Sequence, residues 1–193
     1  MASKSSDLPP SAKAFGRDVP HTDTLLEFIK NMEATNGRGI ALSLVAYTDL
    51  LLELCLTVSF VQLEDKELNK IFRSDGAPLS DLSAKIKLAR ALGIINEEMR
   101  RQLDVIREIR NEFAHSMIDV DFDSKVIKEK CKGLSLKKLD NSYGASRPSN
   151  LLEFRDVSIY CIIALRGYLV AKIERNETSA KVRWLEPFLG KRE

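Results

Sequence analysis

Cysteine, histidine and tryptophan are scarce in this chain, at three, two and one in 193 residues. Cys55, Cys131 and Cys161 are odd in number, far apart and outside any CxxC spacing. That argues against a disulfide framework and a zinc site, and they read as reduced thiols, two of them in core helices. His21 stands beside a polar N-terminal stretch and His115 far from it, so neither an intrachain His-His pair nor a multi-histidine metal site is expected, and no cofactor is implied. Charge of one sign is also lacking: 30 basic against 28 acidic residues give a net +2, too even for a strong nucleic-acid field. No apolar run escapes interruption. Asp49 and Glu53 break Ile40–Leu63, and Arg155, Asp156 and Arg166 break Leu151–Ile173, so both read as buried helices and not as membrane spans. Lys4 has no apolar run behind it and Met1-Ala2 lacks the glycine that myristoylation needs, so a soluble, cytoplasmic protein without membrane attachment is expected.

What is present is ordinary globular composition, 44% hydrophobic and 30% charged, enough for one well-buried core. Residues 1–20, with Pro9, Pro10, Gly16 and Pro20 and no hydrophobic period, read as a disordered tail. Residues 21–176 read as one helical domain, and 177–193, with Trp184 and Phe188, as a C-terminal tail. Thr22 or Asp23 can cap a first helix that reaches about Thr35 and presents Leu25, Leu26, Phe28, Ile29 and Met32. A second runs from about Arg38 to Val61, and a short one from Glu64 to Phe72. After the turn-rich Ser74–Pro78, Ser80 is a good N-cap for a helix that Gly93 and Ile94 close. Asn96 caps the next, with Glu97 and Glu98 in its first turn, and it extends to about Ser116. Asp119–Asp123 looks extended and Ser124–Lys132 helical. Gly133–Asn150 looks like an unusually long loop, and its neighbouring lysines 128, 130, 132, 137 and 138 read as a solvated face. A last long helix runs from about Leu151 to Arg175. The expected fold is all-α: a single-domain bundle of four to five principal helices plus short helices.

The most informative segment lies on the helix opened by Asn96. Its apolar residues fall at Met99, Leu103, Ile106, Phe113 and Met117, and the missing member of that series is Arg110, which would then face the core. A buried guanidinium must meet a carboxylate, several carbonyls or a polar cavity, and Asp49 and Glu53, one turn apart on the second helix, are the natural partners. At about 100° per residue, Asn111 and His115 share one face, whereas Arg110 and His115 lie about 140° apart. A joint site needs a deformed helix end or a second chain.

The run Arg110-Asn111-x-Phe113-Ala114-His115, preceded by Leu79-Ser80-x-x-Ser83-Ala84-Lys85-Ile86-Lys87-Leu88-Ala89 and Ala91-Leu92-Gly93-Ile94-Ile95, resembles the mannitol operon repressor family of bacterial regulators. The match is strongest over 79–116 and extends loosely, by helix order, over about 25–175. The Arg-Asn-x-x-x-His pattern is also similar to the motif of the wider HEPN superfamily, helical domains that include metal-independent ribonucleases acting as dimers. The resemblance implies a HEPN-like fold, a homodimer and a role in transcription regulation as a repressor.

Two functions follow. In the first the chain is a non-enzymatic regulator acting through a protein partner, with Arg110, Asp49 and Glu53 as a structural polar cluster. Direct DNA binding fits poorly, because no helix-turn-helix pair with a basic recognition helix is evident and Glu97-Glu98 would open the second helix of the nearest candidate pair. In the alternative the chain is a metal-independent endoribonuclease and RNA its partner. His115 would then be general acid or base, Arg110 would neutralise the phosphorane, and Asn111 would orient a phosphate or the imidazole.

Overall fold

The computed structural model describes residues 13–14, 17–18, 36–61, 63–116, 120–142 and 149–175. The expected first helix up to Thr35, His21, Met117, residues 143–148 of the expected loop and the tail 177–193 lie outside the described residues. Within the expected N-terminal tail, a two-residue antiparallel ladder joins β1 (Lys13–Ala14) to β2 (Arg17–Asp18), which the absence of any strand pattern did not announce.

The rest is helical, as expected. Helix α1 (Gly37–Ser59) is capped by Asn36, whose side chain accepts the Gly39 N–H at 2.8 Å. Fifteen of its 23 residues are buried, on every side, which puts it at the centre of the bundle. It is long and apolar enough to cross a membrane, yet 72% of its apolar window is buried inside the protein. Its most extensive packing is on α7 (Asn150–Arg175), followed by α4 (Glu97–His115) and α3 (Leu82–Ala91). Helix α2 (Asp65–Phe72) opens with a capping box between Glu64 and Glu67.

The segment that positions the site is α3–α4. Helix α3 ends in a Schellman motif: the Ile94 N–H reaches the Ala89 carbonyl at 2.9 Å and the Gly93 N–H reaches Arg90 at 3.1 Å. Gly93 has φ +70°, a conformation only glycine adopts cheaply, and this sharp stop turns the chain directly into the Asn96 cap, which accepts the Met99 N–H at 2.8 Å. The N-cap of α3 is Asp81, not Ser80. Its carboxylate accepts the Ala84 N–H at 3.1 Å, and a charged acceptor suits the positive helix end better than a hydroxyl.

Two further expectations are corrected downstream. Residues 120–124 are not extended: the Asp121 carboxylate accepts the N–H groups of Asp123 and Ser124, making a turn that seats Phe122 in the core and leads into α5 (Lys125–Cys131). The stretch after Gly133 is not all loop, because Leu136–Leu139 forms the single helical turn α6. Its start is tied down by side chains. Gln102 of α4 accepts the Ser135 N–H at 2.9 Å, and the buried Glu153 of α7 accepts the Leu136 N–H at 2.9 Å. Lys128, Lys132, Lys137 and Lys138 are exposed, and Lys130 reaches Glu108 and Glu112 of α4 at 3.8 and 3.9 Å.

Candidate functional site

Glu53 sits in the middle of α1 with its side chain 3% exposed, where an unpaired carboxylate would cost several kcal/mol. The sequence suggested Arg110 as its counter-charge. The structure supplies Lys85 instead. The Lys85 ammonium, on α3 and equally buried, meets both Asp49 oxygens at 2.9 Å and Glu53 Oε2 at 3.2 Å. Arg73, just after α2, donates to the other Glu53 oxygen at 2.7 Å. The polar cluster is therefore Asp49, Glu53, Lys85 and Arg73, and it fastens α1, α3 and the α2 exit together. Lys85 was legible: it lies three residues after Leu82 and four before Ala89, inside the apolar stripe of α3, opposite two carboxylates that required a cation.

Arg110 does not occupy the core-facing position of α4. Ile109 does, fully buried, in the series Met99, Leu103, Ile106, Ile109 and Phe113. Arg110 stands beside that stripe, half-buried, and its Nη1 donates to Asn111 Oδ1 at 3.1 Å. Phe113 is fully buried against Phe122, ring centroids 5.0 Å apart, and Phe122 against Phe154 at 5.2 Å. His115 is the last residue of α4 and exposed, and among the described residues it makes no hydrogen bond or ion pair. Arg110 and Asn111 are thus joined by a hydrogen bond; among the described residues none joins His115 to either, although Asn111 lies one turn before it on the same face of α4.

What Arg110 does face is a cleft of about 530 Å³ between α1, the start of α3 and α4. Asp49, Ser80, Asp81, Ser83, Arg107, Arg110 and Asn111 supply its polar lining, and Val45, Ala46 and Leu82 its apolar wall. Arg107 is one turn before Arg110 on α4, and its nearest carboxylate is Asp104, at 3.9 Å. The N-terminal half of α4 is laced differently. Glu97 is surrounded by Arg90, Arg100 and Arg101, and the hydrogen bond from Arg100 holds its carboxyl down at about 2.

The thiols are remote from this chemistry. Burial pushes Cys55 and Cys161 up to about 12 and Cys131 to about 11, in the last case helped by Glu153. Thiolate is the reactive form, so all three are inert in the folded chain, and Ellman's reagent at pH 8 is expected to label them rapidly only after denaturant is added. Because the folded values are raised, this contribution to stability is complete below about pH 8.5, where an unfolded thiol is neutral. It is lost as the pH climbs toward 12, since the unfolded chain gives up protons first. Melting temperatures recorded between pH 8 and 11 are expected to fall progressively.

No family model, curated protein or solved structure matches the chain. Geometry and the motifs themselves therefore carry the functional argument.

Proposed function

We propose that the chain is a non-enzymatic, cytoplasmic regulatory protein of the mannitol operon repressor type, HEPN-like in fold, self-associating as a homodimer and acting through protein partners. The observation that carries this reading is the separation of Arg110 from His115. Cleavage by attack of a ribose 2′-hydroxyl needs a general acid or base and a charge-stabilising group within reach of the same phosphate. Arg110 turns into the cleft beside Asn111, while His115 stands exposed at the helix end, and among the described residues no hydrogen bond orients its ring. The even charge balance and the acidic opening of α4 support partner proteins over a DNA groove.

The second reading, a dimeric metal-independent ribonuclease using Arg110, Asn111 and His115, is favoured by one observation: His115 is exposed and could meet the Arg110 of another chain. The two readings part in cells. In a strain lacking the gene, a plasmid carrying His115→Ala is expected to restore the wild-type transcript profile as fully as the unmodified gene. A folded His115→Ala protein that restores nothing would overturn the regulatory reading in favour of the ribonuclease.

A further inference from the structure

Two guanidiniums one turn apart face the same cleft with little counter-charge. Among the described residues, Arg110 has only the neutral Asn111 amide as partner. Arg107 has Asp104 no nearer than 3.9 Å, and its Nε is buried without a hydrogen-bond acceptor. Both acids that line the cleft are committed elsewhere: Asp49 holds Lys85 through both oxygens, and Asp81 caps α3 through Ala84. Guanidiniums drawn partly out of water without acceptors are costly, and their planar donor forks match a tetrahedral oxyanion. Ser80, Ser83 and the Asn111 amide add neutral donors to the same lining.

We propose that this cleft binds a small phosphorylated metabolite, its phosphate held between Arg107 and Arg110. A dianion answers two guanidiniums. The volume admits a small organic body beside the phosphate, against Val45, Ala46 and Leu82. A polyanionic strand is a poorer occupant, because a cleft of about 530 Å³ encloses one phosphate and a small body and not a run of nucleotides. The proposal rests on the regulatory reading for its meaning, as the input of a regulator, but its test measures binding alone. Failure here leaves the regulatory reading to its own complementation test.

The probe is inorganic phosphate, added to the full chain in thermal melts against sodium chloride of equal ionic strength and then titrated calorimetrically. Phosphate is expected to raise the melting temperature, as any ligand of the folded state does. Arg107→Gln and Arg110→Gln are each expected to weaken binding at least about tenfold, the loss of one charge-assisted contact. Arg155→Gln, on α7 beside Asp156, is expected to leave it unchanged. Should Arg107→Gln fail to fold, Arg110→Gln decides alone. Absence of a phosphate-specific shift, an equal shift in the arginine variants, or displacement of phosphate by a short oligoribonucleotide at lower concentration than by glycerol phosphate would each overturn the proposal.

Discussion

Phe113→Ala is expected to destabilise the chain by about 3–5 kcal/mol, the usual cost of emptying a fully buried aromatic site. The side chain is completely enclosed, and its ring is the first of a row of three, Phe113, Phe122 and Phe154, that joins α4, the turn before α5, and α7. Phe122 is itself buried by the turn that Asp121 closes, so collapse into the space left by Phe113 would have to unseat that turn. Little relaxation is therefore available, which places the loss toward the upper end of the range. Phe113→Leu, which keeps most of the volume, is expected to cost roughly 1–2 kcal/mol. Denaturant unfolding of the two variants beside the parent chain checks both figures. A loss below about 1 kcal/mol for Phe113→Ala would mean that the aromatic row is not part of the core.

Lys85→Met is expected to cost about 3 kcal/mol, which for a chain of this size lowers the melting temperature by roughly 10 °C. Removing one partner of a buried pair strands the other, but Arg73 keeps its 2.7 Å contact with Glu53 and Asp49 is partly open to solvent, so the figure falls at the low end of the usual range. Lys85→Met with Glu53→Met is expected to recover part of the loss, because two apolar side chains replace two charges. Arg110→Met is the informative contrast. If Arg110 were the counter-ion of the α1 carboxylates it would match Lys85→Met, whereas a side chain in a cleft, bonded to the neutral Asn111 amide, should cost less than about 1 kcal/mol.

The exchange of Arg110 for Lys85 shows where the sequence speaks and where it stops. Local signals were readable because they act over a few residues: Asn96 capping α4, Gly93 and Ile94 closing α3, and the apolar surround of α1 that makes it the central helix. Asp49 and Glu53 also declared, by standing in such a helix, that a buried cation had to exist. The apolar stripe of α3 marks Lys85 as one candidate, but the choice between it and Arg110 depends on how α3 and α4 are set against α1, a long-range fact that no local pattern contains. The spacing on α4 was ambiguous as well. Between Ile106 and Phe113 a period of 3.6 falls midway between residues 109 and 110, and burial of apolar Ile109 resolves the choice. Gln102 and Glu153, which fasten the 133–140 segment, were missed because each lies in an otherwise ordinary helical position and takes its role from a distant backbone N–H.

The run from Arg110 to His115 thus divides by direction. Phe113 serves the core, Arg110 and Asn111 serve a cleft, and His115 stands apart from both. The most direct test of that division is incubation of the purified chain with single-stranded RNA in the presence of chelator, beside His115→Ala. Intact RNA in both samples, at matched protein stability, is the predicted result. Cleavage that the unmodified chain performs and His115→Ala does not would contradict it, and would mean that a second chain brings the histidine and the arginine back together.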